Sequence, residues 1–476
     1  MATSKEMTAG PALPLILKFT LPLLLGNLLQ QTYSLVDAAI VGKFLGINAL
    51  ASVGASTSVV FLILGFCNGC CGGFGIPVAQ KFGARDYSTM RSYVAVSLKL
   101  AAGMSVVIAL LTCILCEDIL RIMRTPENIF EGAYAYLLVT FIGVPCTFFY
   151  NLLSSIIRAL GDSKTPFWFL LFAAVLNIIL DYLFIFPFGW GMFGAAIASA
   201  IGTTVGALMI IIYLSRRKCA LRFYPVKLTR KSMQLTHRNI GYMCRLGSSA
   251  FLCEVAIACM MFVGNIVFIH YLQEEGVAAF SIACYFFPII FMVYNAIAQS
   301  AQPIISYNHG LHETARVRRA YLLALKTAVG CGAIFAFITA LFSSEIVSMF
   351  IYRSYPAYEI ASKGLPLYAT GFIFFAINIV SIGYFQSVER ARYATIITLL
   401  RGFVLLTACF FGLPLLFGNA GIWLATPLAE LLTTLFILII YIKAKRERKE
   451  NIVSLPHGND DKEILPKIQT SGKKPA

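Results

Sequence analysis

Apolar runs of twenty or more residues recur along this 476-residue chain, and they constrain its fold more than any other feature. A helix rises 1.5 Å per residue, so about 20 apolar residues cross the ~30 Å hydrocarbon core of a bilayer. In that core each backbone N–H and C=O must be satisfied inside the segment, which a helix does with its own hydrogen bonds. Twelve transmembrane helices are predicted, near 14–39, 48–76, 92–116, 132–157, 164–186, 191–214, 242–269, 277–304, 316–341, 362–387, 392–414 and 420–442. The fold class is an all-α polytopic membrane protein. Charged residues make up 13% of the chain, against about 25% in a soluble domain.

The charges orient these spans. Alternate connections are rich in Lys and Arg: Lys81, Arg85 and Arg91; Arg158 and Lys164; Arg316, Arg318 and Arg319; Arg390 and Arg392. The connection between spans 6 and 7 is the most basic, with Arg216, Arg217, Lys218, Arg222, Lys227, Arg230, Lys231 and Arg238 and no acid. Lys443, Lys445, Arg446, Arg448 and Lys449 follow span 12. The opposite connections hold only Lys43, Arg121, Arg124, Arg353 and Lys363. The positive-inside rule then places both termini in the cytoplasm of a bacterial inner membrane protein. The net charge of +16 is thereby a topology signal that touches anionic lipid headgroups, and nucleic acid is not an expected partner. Nothing reads as a cleaved signal peptide, since the first apolar run is long and leads straight into further spans. A polar tail is expected to be disordered from residue 451.

The chain also repeats itself. Gly83 and Gly310, Lys99 and Lys326, Gly103 and Gly330, Asn151 and Asn378, Pro187 and Pro414, and Gly194 and Gly421 are all 227 positions apart. Six spans fall in each half, an even number, so both halves enter the membrane from one side and the repeat is parallel. The expected organisation is a six-helix lobe over 1–214, a basic linker over 215–241, a second six-helix lobe over 242–450 and the tail. Two such lobes frame a central cleft and suit alternating access by rocking.

Enzymatic and metal chemistry find little support. No HExxH, nucleophile elbow or phosphate loop is present, and no cofactor is expected. His309 and His312 read as solvated loop. The stretch CNGCCGG at 67–73 has no second cysteine pair, so its small residues read as helix packing rather than a zinc site. A channel would more often be an oligomer around one pore, and a monomer is expected here.

Ionisable groups inside lipid are costly, and each is a functional candidate. Asp37 lies near the outer end of span 1 and Asp181 in the outer part of span 5. Asn177 precedes Asp181 by one turn on the same face, as Tyr33 precedes Asp37. Ser199 in span 6 is at a comparable depth. These groups make an oxygen-rich pocket that holds a proton on a poorly solvated carboxylate or coordinates Na⁺ at Asp37, Asn177 and Asp181. The alternative is that each Asp is hydrogen-bonded structural glue. The second half differs. Asn265 stands one residue beyond the position where the repeat would place Asp37, so that charge is absent, while Glu254, Arg401 and Glu430 fall near the middle of spans 7, 11 and 12. Arg401 and Glu430 are the obvious ion pair, and Glu254 is the freer carboxylate. The three form either a structural network or a cation site. Lys99 and Lys326 are within snorkelling reach of the cytoplasmic side and read as structural.

The stretches QQTYSLVDAAIVGKFLGINALASVG (30–54), RALGDSKTP (158–166) and NIILDYLFIFPFGWGMFGAAIAS (177–199) resemble the multidrug and toxic compound extrusion (MATE) family. The resemblance runs through all twelve spans. It implies a two-lobe antiporter that exports amphipathic, often cationic, small molecules against Na⁺ or H⁺. It also implies an amino-terminal ion site at Asp37, Asn177, Asp181 and Ser199, the last a departure from the family's Thr. Some members have a second site with a span 7 glutamate, matched by Glu254, and a span 10 aspartate, which is missing here. Tyr33, Glu254 and Asn378 are assigned to the substrate cleft, with Phe286, Phe287, Tyr294, Met260 and Met261 as apolar walls. The runner-up is a related flippase or exporter of a lipid-linked or natural metabolite, whose cleft would be more cationic.

Overall fold

The computed structural model describes residues 12–123, 125–216 and 230–453, and every element among them is helical. Arg124, Arg217, Lys218, Arg222 and Lys227 of the topology argument, and the tail from 454 onward, lie outside the described residues. The first half comprises α1 (Ala12–Leu45), α2 (Ile47–Gly83), α3 (Tyr87–Ile114), the short α4 (Cys116–Ile122), α5 (Glu127–Ala159), α6 (Lys164–Ile185) and α7 (Gly191–Arg216). The second comprises α8 (Arg230–Gly310), α9 (Thr314–Leu341), α10 (Ser343–Ser348), α11 (Pro356–Ala369), α12 (Phe372–Ser387), α13 (Ala391–Leu399), α14 (Leu405–Phe417) and α15 (Asn419–Val453). A π-helical turn, Leu400–Val404, joins α13 to α14.

The apolar runs are helical, with 362–387 divided between α11 and α12, 392–414 divided among α13, the π-helical turn and α14, and 242–269 and 277–304 both within α8. Among the described residues nine helices are long and apolar enough to cross a membrane, or ten if the bent pair α11 and α12 counts as one span. One of them is far too long for a single crossing. The 81 residues of α8 would reach about 120 Å as a straight rod. Gln273 interrupts it with φ 56 and ψ −155, inside the QEEG connection between two apolar runs, so α8 supplies two passes. The α11–α12 pair bends by 46° after Ala369, where a methyl on Gly371 would press on the Pro427 backbone. The helical boundaries shift two expectations. α8 begins at Arg230, inside the expected linker, and α15 runs through Val453, past the expected start of the tail, because Lys, Arg and Glu are good helix formers that continue an existing helix.

The duplication is written into the backbone. Arg85 (φ 58) and His312 (φ 60) occupy the same register and end α2 and α8 in the left-handed region. Gly191 and Gly418, also in register, both have φ 54 at the starts of α7 and α15. The halves meet along α2 and α8 through glycine. A methyl group on Gly69 would lie 2.6 Å from the Phe251 nitrogen, and one on Gly73 would lie 2.5 Å from the Gly247 nitrogen, so the two backbones are in direct contact. At the end of the bundle that carries the basic connections the contact becomes reciprocal. A methyl on Gly83 would strike the Tyr307 carbonyl, and one on Gly310 would strike the Gln80 carbonyl. Gln80 and Tyr307 are themselves repeat partners. Beside this crossing, Gln80 Nε2 donates to the Ser387 carbonyl at 2.9 Å.

Gly83→Val tests the crossing. Overpacking of this kind costs about 1–3 kcal/mol, so the variant should lose several degrees of thermal stability in detergent. Gly103→Val on α3, where nothing lies within 4 Å, is the control and should melt like the parent. Equal melting of both variants would mean that the backbones do not touch at Gly83.

The chain forms two compact units, one through Thr434 and one from Leu435. All side chains discussed below belong to the first. The described part of the second is the end of α15, with Leu435, Leu438, Ile439 and Ile442 exposed, as on a lipid-facing helix.

Candidate functional site

Three helices of the first half bring the acidic residues together. α6 and α7 approach closely because α7 offers glycine: a methyl on Gly202 would sit 3.1 Å from the Ala173 carbonyl and 3.3 Å from Asn177 Cβ. This seats Asn177 against Ser199. Turned so that its carbonyl meets donors, the Asn177 amide accepts from the Ser199 hydroxyl and backbone nitrogen at 3.1 Å each. Its nitrogen then donates to Asp181 Oδ2 at 3.3 Å, down the same face of α6. Asp37 enters from α1, and the Asp37 and Asp181 carboxyls lie within hydrogen-bonding reach of each other. Asp181 is 0% exposed, Asn177 3% and Asp37 6%, and the Oδ1 of each aspartate is buried without a hydrogen-bond donor.

Ionised carboxylates only accept hydrogen bonds, so two that touch out of water repel unless a proton or cation lies between them. The pocket is therefore built to take up positive charge. Tyr136 of α5 lies within electrostatic reach of Asp37, Asp181 and Tyr33, which places α5 and the expected cleft residue Tyr33 beside the acids. The sequence reading missed Tyr136. Its only signal is a tyrosine in an apolar run, shared with Tyr134 on the same helix.

The second half holds a different cluster. Arg401 sits in the π-helical turn, where an extra residue re-aims a side chain, a feature frequent at functional sites. Arg401 and Glu430 are 3% and 2% exposed and pair through Nη2 to Oε1 at 2.6 Å and Nε to Oε1 at 3.1 Å. Asn378 of α12 donates to Glu430 Oε2 at 2.6 Å and to the Glu430 carbonyl at 2.9 Å, and receives the Thr434 hydroxyl at 3.0 Å. The guanidinium lies 4.7 Å from the Phe375 ring centre. Arg401 Nη1 and Thr426 Oγ1 remain without partners beside a cavity of about 10 Å³, room for a single water.

Two expectations change here. Asn378 belongs to this network and is fully buried, because a carboxylate on the neighbouring α15 offers its amide a stronger partner than a cleft would. Met260, Phe287 and Tyr294 are core residues of the second half: Phe287 stacks on Phe375 at 4.5 Å, and Tyr368 donates to the Met260 sulfur at 3.7 Å. Phe286 and Met261 are half-buried. Glu254 stays apart from the network. It is half-buried with no hydrogen bond or ion pair among the described residues, and its Cβ would lie 3.1 Å from a methyl on Gly65, so it stands at the seam between α8 and α2. Cys67, Cys70 and Cys71 are buried in apolar packing, and no group of three metal-ligating side chains occurs among the described residues.

A duplicated set of lipid-spanning helices enclosing buried ionisable groups is the build of a polytopic membrane transporter. The profile of the MatE family matches residues 22–183 and again residues 250–410, once in each half. The chain belongs to this family, the MATE multidrug efflux transporters. It is 28% identical over 337 residues to the probable multidrug resistance protein YoeA of Bacillus subtilis (strain 168), covering 70% of this chain and 72% of that one. It is 24% identical over 447 residues to the multidrug export protein MepA of Staphylococcus aureus (strain NCTC 8325 / PS 47), covering 92% and 95%. Among solved structures it is similar to a MATE protein in the bent conformation, with a TM-score of 0.85 at 22% identity over 94% of this chain and 99% of that one. It is also similar to an outward-facing multidrug resistance MATE transporter, with a TM-score of 0.81 at 22% identity, covering 92% and 96%. These structural likenesses establish the two-lobe fold.

Proposed function

We propose that the chain is a secondary antiporter that exports amphipathic, often cationic, small molecules in exchange for a cation, acting as a monomer without a cofactor. The reading rests chiefly on the contact between Asp37 and Asp181, each with a buried oxygen that lacks a donor. In the outward-facing state a cation binds there, neutralises the pair and disfavours substrate, which leaves to the outside. The lobes then rock, the cation leaves inward and new substrate enters. Coupling requires that cation and substrate bind one state with different affinity. Both termini are placed in the cytoplasm of a bacterial inner membrane by the asymmetry of Lys and Arg.

H⁺ is favoured over Na⁺ as the coupling ion. The Asn177 oxygen is already engaged by Ser199, and the two carboxyls already touch. That arrangement suits a shared proton better than the six or so oxygen ligands a hard cation gathers. The test is efflux of a fluorescent cationic dye from proteoliposomes of the full chain, first under a pH gradient and then under a Na⁺ gradient at constant pH. Efflux is expected under the first and absent under the second. The reverse result would reassign the ion to Na⁺, and no response to either gradient would remove the antiport reading.

A further inference from the structure

Directly beneath the reciprocal glycine crossing lies a cavity of about 30 Å³ that the carboxyl sites do not involve. Three helices enclose it: α2 with Gly75 and Ala79, the end of α5 with Ser155 and Arg158, and the second pass of α8 with Gln299, Gln302 and Ser306. Its polar lining is made of donors and neutral groups. Arg158 has no hydrogen bond or ion pair through its side chain among the described residues; the groups acting on it electrostatically are Tyr150 and Cys71, both uncharged at neutral pH. Asp162, the nearest acid in sequence, is engaged elsewhere by Thr165 and Tyr213. Ser306 Oγ is fully buried without a partner. Gln302 is held at 2.6 Å by Gln386, which itself bonds Ser249 at 2.8 Å, so this wall is fixed by the second half.

Arg158 is half-buried, and a guanidinium with reduced access to water and no counter-charge beside it attracts an anion. Here no carboxylate supplies that counter-charge, while a hydroxyl donor lines the same small space. We propose that this cavity is a binding site for a small monoanion, held by Arg158 and Ser306, which stabilises the state in which α2 and α8 are closed against each other. The volume admits about one or two water-sized particles. That suits a free halide or the carboxylate end of a transported amphiphile, and excludes a polyhydroxylated acid such as gluconate. Arg158 and Ser155 come from the first half and Ser306 from the second, so the anion bridges the halves at the point where they must part for access from the basic end.

The test is thermal melting of the purified full chain in sodium chloride and in sodium gluconate at equal ionic strength. The parent is expected to melt about 2 °C higher in chloride. Arg158→Gln should abolish the difference, and Ser306→Ala should move the chloride midpoint several-fold upward. Identical melting of the parent in the two salts would overturn the site, as would a full chloride shift in Arg158→Gln. The parent measurement stands even if that variant fails to fold. Proteoliposomes then separate the two sources. If the occupant is a free ion, replacing chloride by gluconate changes the efflux rate of a cationic dye at least twofold in the parent. If it is a substrate carboxylate, chloride competes with a carboxylated dye and leaves the cationic dye unaffected. Melting involves no gradient, so failure of the antiport reading and failure of this site are distinguishable.

Discussion

Asp181→Asn should reach the membrane in normal amount and move no dye under a pH gradient. The substitution keeps size and shape, and the Asn177 nitrogen at 3.3 Å from Asp181 Oδ2 would find an amide oxygen in its place. On the proposed mechanism, what is removed is the charge that draws a proton to Asp37 and Asp181. Without it, substrate affinity loses its dependence on pH, a coupling expected to be worth about 5–150-fold. Asp37→Asn should give the same loss, and the double variant should be no worse than either, since the two carboxyls act as one unit. The checks are dye efflux and equilibrium dye binding at two pH values on matched amounts of folded protein. Undiminished efflux in Asp181→Asn would remove this pair from the mechanism.

The second large effect belongs to stability. Glu430→Leu strands the Arg401 guanidinium among Phe375, Phe287 and Leu406, and Arg401→Met leaves a buried carboxylate whose one remaining side-chain hydrogen bond among the described residues is from Asn378. Breaking a buried pair from one side costs about 3–5 kcal/mol. Each single variant should therefore melt well below the parent or fail to accumulate. The double variant Arg401→Met/Glu430→Leu removes both charges and should recover most of the loss, because apolar replacement of a buried pair is often near neutral. A structural role also requires that the double variant still transport dye. Recovery of stability with complete loss of efflux would move the pair from scaffold to function, and mild single variants would mean that water reaches it.

The spans were legible because lipid demands one pattern over twenty residues, and the repeat because Gly83, Pro187 and Gly194 recur at one spacing. Asp181 with Asn177 was legible as well, since residues one turn apart on a helix share a face whatever surrounds them. Contacts between spans were not. Asn378 lies in an apolar run, and nothing in that run says that α15 presents Glu430 to it. Tyr136 is one tyrosine among many until α1 and α6 are placed beside it. Arg158 counted as a connection charge setting topology, because a sequence leaves helix ends uncertain by several residues, and one turn decides whether an arginine stands in open solvent or against a small cavity.

The reciprocal crossing of Gly83 on Tyr307 and Gly310 on Gln80 has a mechanical consequence. Hydrophobic adhesion grows with apolar area at roughly 25 cal/mol per Å², and a glycine contributes almost none. At these points backbone meets backbone, and the apolar grip between the halves comes from neighbouring rings, Phe82 on Tyr307 at 5.6 Å and Phe66 on Phe251 at 5.0 Å. In the proposed antiport cycle such points can part with little loss of apolar contact. Repeated at two points related by the duplication, they would serve that cycle as a well-fitted stopcock does, close at the contact yet free to turn.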